Sequence, residues 1–183
     1  MKKFTTLDLI LVSLNAAIGI ALKPVIGPII QAIGASFFFP TGAIAGAIYM
    51  IWPLLALLII NKLGSATLVG IVQALIVFVT GIYGSHGIFT FFTYILPCLV
   101  IDLIYFLLNC NKNKFWLFVP PAMGNATGTF LVGSLMMHLP VVPLLLGTIP
   151  AFVFGGIAGW LAYSVNTMLS RVSSTKLQKG ERL

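Results

Sequence analysis

The sequence predicts an all-α polytopic membrane protein with six transmembrane helices and a broken or re-entrant segment after the first. Three observations predict it. Of 183 residues, 60% are hydrophobic and 7% charged, against about 45–50% and about 25% in ordinary globular domains. Lys23 is the only formally charged residue between Asp8 and Lys62, and the next acid after Asp8 is Asp102. Several apolar runs also approach or exceed the roughly 20 residues a helix needs to cross hydrocarbon. A soluble bundle would have to hide all of them.

Short polar or Gly/Pro breaks divide the runs into spans at 7–22, 41–60, 64–81, 88–108, 115–137 and 141–169. The first is short unless the Thr5–Thr6 turn belongs to it. It is read as a retained helix, because its Ala-Ala-Ile-Gly region matches a signal cleavage site poorly. The stretch 24–40 carries Pro24, Pro28, Pro40, Gly27 and Gly34, which interrupt a regular helix. Irregular backbone at membrane depth must be buried in protein or line a cavity. Residues 1–169 form a single membrane domain. From 170 to 183 apolar periodicity is lost, and a frayed, polar cytoplasmic tail is expected.

The charges test this partition independently. With the N-terminus in the cytoplasm, Lys2, Lys3, Lys62, Lys112, Lys114, Arg171, Lys176, Lys179 and Arg182 fall inside and Lys23 alone outside. Both termini are thus expected in the cytoplasm of a multi-pass protein of the cell membrane. The net charge of +7 is explained by juxtamembrane attraction to anionic lipid. Nucleic acid is not implied, since no aromatic-interleaved basic patch accompanies the charges.

Chemistry is limited by what is missing. There is no Gly-x-x-x-x-Gly-Lys-Ser/Thr loop and no His-Glu-x-x-His, and the 3 acidic residues are too few for a carboxylate-rich centre. An enzyme is not expected, no cofactor is implied, and ATP hydrolysis would fall to partner subunits. Cys98 in a span and Cys110 beside the inner face suit packing rather than a disulfide. His86 and His138 lie in different loops without a third ligand, so no metal site is implied.

Ser13, Ala17 and Ala21 recur every four residues in the first span and form a smooth strip that another helix can approach closely. Two readings stand: packing inside the chain, or docking to another subunit. Gly42, Gly46, Gly155 and Gly159 are assigned to internal packing. Together with the size, the six apolar segments, the N-in orientation and the broken segment, Ala17-x-x-x-Ala21 resembles the substrate-binding S component of an energy-coupling factor transporter. That family is a vitamin-importing branch of the ATP-binding cassette systems. The resemblance runs to about residue 169. It implies a transmembrane coupling subunit docked at Ala17 and Ala21, with Ser13 one turn earlier, two cytosolic ATPase subunits, and a vitamin ligand.

Within that family, the run 42–63 followed by Gly64-Ser-Ala-Thr-Leu-Val-Gly-Ile-Val-Gln is similar to the thiamine- and hydroxymethylpyrimidine-related branch. That branch implies an acid facing a cationic ligand. This chain has Gly70 and Gln73 there, so an uncharged aminopyrimidine-like compound is expected ahead of thiamine, and cobalamin is the alternative.

The residues themselves offer several ligand contacts. Gln73 near mid-span both donates and accepts hydrogen bonds, as does Asn15, and either suits a heteroaromatic ring or a neighbouring helix. The loop Thr80-Gly-Ile-Tyr-Gly-Ser-His-Gly87 presents Tyr83 and His86, and Phe89 follows with a stacking face. Tyr83 also fits an interfacial anchor, and His86 a helix start. Asp102 is an intramembrane acid, a functional-site candidate by default; a structural hydrogen bond and a loop salt bridge are its other readings. Asn125 follows Pro120-Pro121, either as a pocket residue or as repair of a bend. Three functions are compatible with these features: the binding module of a multisubunit importer, a self-contained transporter or channel, and a membrane assembly protein.

Overall fold

Thr5 starts the first helix by a reciprocal cap. Its hydroxyl accepts the Asp8 N–H at 3.3 Å, and the Asp8 carboxylate accepts the Thr5 N–H at 2.7 Å, so two amides without intrahelical partners are satisfied together. Asp8 also pairs with Lys62 at 2.5 Å, and Lys62 donates to the Lys3 carbonyl at 2.9 Å. The loop around Lys62 is thereby pinned to the start of α1, Thr6–Ala21.

The structure is a computed structural model describing residues 3–37, 41–81, 86–110 and 114–180. After α1 come α2 (Lys23–Phe37), α3 (Thr41–Tyr49), α4 (Ile51–Ile60), α5 (Ser65–Thr80) and α6 (Thr90–Leu107). A short 3-10 turn at Lys114–Phe118 leads into α7 (Val119–Leu135), and α8 runs over Val141–Gly180. Helices therefore stand at all six predicted spans, and α2 is additional.

The broken segment expected after the first span is present as a bent helix pair, but the prolines do not make the break. Through Phe37 the backbone is helical: Pro24 sits in the first turn of α2, where no N–H partner is needed, and Pro28 forfeits one bond inside it, while Pro40 lies outside the described residues. The break falls instead at Leu22, where the chain bends by 41° between Thr6–Ala21 and Lys23–Ala32. The segment 170–180 is not frayed but continues α8; no Gly or Pro separates Gly159 from Gly180, so nothing stops the helix.

Gly42–Ile60, Gly87–Leu107 and Val141–Val172 are long and apolar enough to cross a membrane, and the bent pair makes a fourth candidate. The first of these is stepped at Met50 between α3 and α4. Pro53 explains the step, because it has no N–H for the carbonyl one turn earlier. Helix α5, with 16 residues, is apolar but shorter, and α7 has 17. The chain is an all-α, multi-pass membrane protein; the count of six crossings belongs to the proposal below.

α7 packs between α6 and α8, α5 lies along α6, and α1 covers α4 and α5. Leu54, Leu57, Ile101, Tyr105 and Leu117 form the largest apolar cluster, and Val12, Ala16, Ala56 and Val69 a second one under α1. A Cβ at Gly70 would stand 2.8 Å from the Tyr94 carbonyl oxygen and 2.9 Å from Cys98 Cβ, so α5 and α6 meet with almost no side chain between them. Cys98 and Cys110 are buried free thiols.

Candidate functional site

The steps and prolines that disturb these helices surround a cavity of about 430 Å³ lined from α2 through α8, with residues of the 136–140 turn completing its wall. Such a volume lies within the ordinary range for small-molecule sites, about 300–1,000 Å³. Its apolar walls come from Met50, Pro53, Pro97, Val132 and Leu144. Lys23, Tyr49, Gln73, His86, Thr93, Tyr94, Asn125 and Thr129 bring polar groups to it.

Asn125 holds the cavity wall together. Its amide nitrogen donates to the Ala43 carbonyl at 2.9 Å and to the Ala151 carbonyl at 2.7 Å, tying α7 to α3 and α8. That fit needs small neighbours. A Cβ at Gly46 would stand 1.9 Å from the Asn125 amide nitrogen, and one at Gly155 would stand 2.6 Å from Asn125 Cβ. Both donor hydrogens are used, while the amide oxygen accepts no hydrogen bond among the described residues. Asn125 therefore lines the cavity and bridges three helices, and its amide reaches no carbonyl freed by Pro120-Pro121. The bend expected at Pro120-Pro121 is absorbed by the preceding 3-10 turn, and both prolines sit in the first turn of α7.

Gln73 is buried on α5 and makes no hydrogen bond among the described residues. Gly19 on α1 leaves it room, since a Cβ there would lie 2.5 Å from Gln73 Nε2. Asn15 turns back instead to its own helix, donating to the Leu11 carbonyl at 2.9 Å.

His86 stands at the cavity edge, just before the span that starts at Gly87. Its backbone N–H donates to the Thr90 hydroxyl at 2.9 Å, and its Nδ1 lies 3.3 Å from the Thr93 hydroxyl. The residue is at once a helix-start residue and part of the lining. Burial, and secondarily the positive charge of Lys23, hold its imidazole below its ordinary pKa of 6.5.

Lys23, read from the sequence as a lone outer-loop charge, is the first residue of α2 and is buried. Its ammonium donates to the Tyr94 hydroxyl at 2.6 Å. It stands 3.9 Å from the centroid of the Tyr94 ring and 5.0 Å from that of Tyr49. Lys23 and Tyr49 were missed as site residues, and Tyr94 was expected only as a stacking ring beside Phe89. The available signal was the same one that singled out Asp102, an ionisable group amid apolar sequence.

Asp102 does not line the cavity. Its carboxylate accepts the N–H groups of Ala66 at 3.3 Å and Thr67 at 2.8 Å, and the Thr67 hydroxyl at 2.6 Å. The α5 start has no side-chain cap of its own at Gly64, so an acid from α6 satisfies it across the helix interface. Phe89 is exposed at the start of α6 and outside the lining, and Tyr83 lies outside the described residues. Ser13, Ala17 and Ala21 are all exposed on the outer face of α1, flanked by exposed Ile10, Leu14 and Ile18. The strip is not packed inside this chain.

Among the described residues, no group of three or more His, Cys, Asp or Glu is placed to hold a metal ion. No curated protein and no solved structure matches the chain. Residues 7–127 match the family described as ABC-type cobalt transport system, permease component, a stretch that includes Lys23, Gln73, His86 and Asn125. With most of its length matched, this chain belongs to that family of membrane permease components.

Proposed function

We propose that the chain is the substrate-binding membrane subunit of an ATP-driven importer, crossing the bilayer six times with both termini in the cytoplasm. The observation that carries this is the cavity of about 430 Å³, with convergent polar groups on apolar walls, inside a transport-family membrane chain. Such a subunit captures a scarce nutrient on the outer side. A transmembrane coupling subunit and two cytosolic ATPase subunits then drive its release inside. Gln73, His86 and Asn125 are the ligand contacts favoured by their place on the cavity wall, with Tyr83 and Phe89 as outer closure.

The family description backs a cobalt-linked cargo, the alternative to an aminopyrimidine, better than the aminopyrimidine itself. A cobalamin-type ligand is therefore the second reading. A bare cobalt ion fits poorly: among the described residues the lining contains a lysine, one imidazole at His86, one thiol at Cys98 and no carboxylate, whereas divalent metals are held by three or more clustered imidazole, thiolate or carboxylate donors, a group not found here. A corrinoid exceeds the drug-sized ligands typical of such cavities, so helices would have to part to admit it.

Mass spectrometry of ligand carried through purification, followed by calorimetric titration with pyrimidines, carboxylate vitamins and cobalamin, tests the reading. Binding of a small organic nutrient at micromolar affinity or better is expected. Saturable, energy-coupled uptake by the chain alone, without ATPase partners, would instead favour a self-contained transporter.

A further inference from the structure

The cavity holds a lysine and, among the described residues, no acidic side chain. Among the described residues the two acids are committed elsewhere, Asp8 to Lys62 and Asp102 to the start of α5. Lys23 has, among the described residues, the Tyr94 hydroxyl, two aromatic faces and the neighbouring Cys98 thiol, and no carboxylate. An ammonium carries three donors, so its hydrogen-bonding capacity is unfilled, and an apolar setting makes a charge without a counter-ion costly. Fold stability alone does not explain keeping lysine here, because a neutral side chain of similar length would fill the same space at lower cost.

We propose that Lys23 is the anion-binding residue of the substrate site, and that the substrate is a small organic monocarboxylate. This rests on the capture role proposed above and narrows its ligand. One lysine matches one charge, whereas phosphate groups usually gather several donors. The rest of the wall suits an organic body: Met50, Pro53 and Leu144 give apolar surface, and Gln73 can pair with an amide or ring nitrogen. Tyr94 and Tyr49 fix the ammonium in place before the ligand arrives. Less ordering is then left for the binding step.

Two measurements on the full chain in detergent test this. The first needs no ligand. Lys23→Met should unfold at a temperature equal to or above that of the wild type, because it removes an uncompensated buried charge while keeping the side-chain length. A clear drop in melting temperature, confirmed with Lys23→Gln, would mean that the lysine is structural and would overturn the proposal.

The second is titration with matched acid and neutral pairs: nicotinate with nicotinamide, pantothenate with panthenol, and biotin with its amide. The acid of the best-fitting pair should bind about 10- to 100-fold tighter than its neutral partner, as a charge-assisted hydrogen bond requires. Lys23→Met should abolish that preference and Lys23→Arg should retain it. Preference for neutral probes, or for hydroxymethylpyrimidine or cobalamin over every acid, overturns the carboxylate assignment while leaving the capture role standing. If none of these compounds binds and no ligand accompanies the purified protein, the capture role falls and this proposal with it.

Discussion

Asp102 on α6 and Thr67 on α5 are joined twice through one carboxylate oxygen, which accepts the Thr67 N–H at 2.8 Å and its hydroxyl at 2.6 Å. The acid closest to mid-helix in the sequence is thus a cap supplied from a neighbouring helix. Removing it leaves the first amides of α5 without partners where water is scarce, a loss of about 1–3 kcal/mol. Asp102→Ala should therefore lower thermal stability by that order, and Asp102→Asn by less. Ligand affinity of the folded fraction should stay within about twofold of wild type, well under the 1.4 kcal/mol that a factor of ten represents. A selective affinity loss at unchanged stability would return Asp102 to the binding site.

Gly46 and Asn125 give a second, coupled prediction. Gly46→Ala forces a methyl group onto the Asn125 amide, which must then abandon the carbonyls of Ala43 and Ala151. Overpacking of this kind costs about 1–3 kcal/mol. Adding Asn125→Ala to Gly46→Ala should cost less than the sum of the two single changes, because the second substitution removes the atoms that clash. Thermal unfolding of the four proteins closes the cycle, and strict additivity would mean the two residues act independently.

Acidification should act through His86. Its native pKa is depressed, so the unfolded chain binds the extra proton first as pH falls through the ordinary imidazole value near 6.5. The stability this neutral ring contributes is fully present above that value and declines below it. His86→Gln should flatten the stability profile between about pH 7 and about pH 5, from just above the ordinary imidazole value to well below it. An unchanged slope in the variant would assign the acid sensitivity to other groups.

The helices were legible because apolar runs bounded by polar or Gly/Pro breaks are read directly along the chain, and each of the six runs contains one. The position of the bend was not. Pro24 suggests interruption, yet a proline in a first helical turn is well tolerated, and the bend arises at Leu22 instead. Gln73 and Asn125 were recognised as polar residues in apolar surroundings and His86 as part of a glycine-rich outer loop, and the fold brings all three to one cavity. Lys23 escaped because a charge count weighs loops and helix starts alike. Only packing places its ammonium against Tyr94. The role of Asp102 was hidden for the same reason, since its partners lie on another helix and no local motif announces them.

The outer strip of α1 supplies the last prediction. Ser13, Ala17 and Ala21 point away from the chain's own core, and larger apolar side chains flank them. A shallow face of small residues lets a second helix approach until backbones nearly touch, which is how helices gain contact in lipid, where no hydrophobic drive separates protein from solvent. Ala17→Trp or Ala21→Leu should hold a docked coupling subunit away and reduce its co-purification severalfold. Folding and ligand binding of the isolated chain should be unchanged, because neither side chain enters the core or the cavity. Lipid facing this strip predicts the opposite, complexes at normal yield with both bulky variants. Normal uptake by the same variants would remove the face from the docking surface altogether.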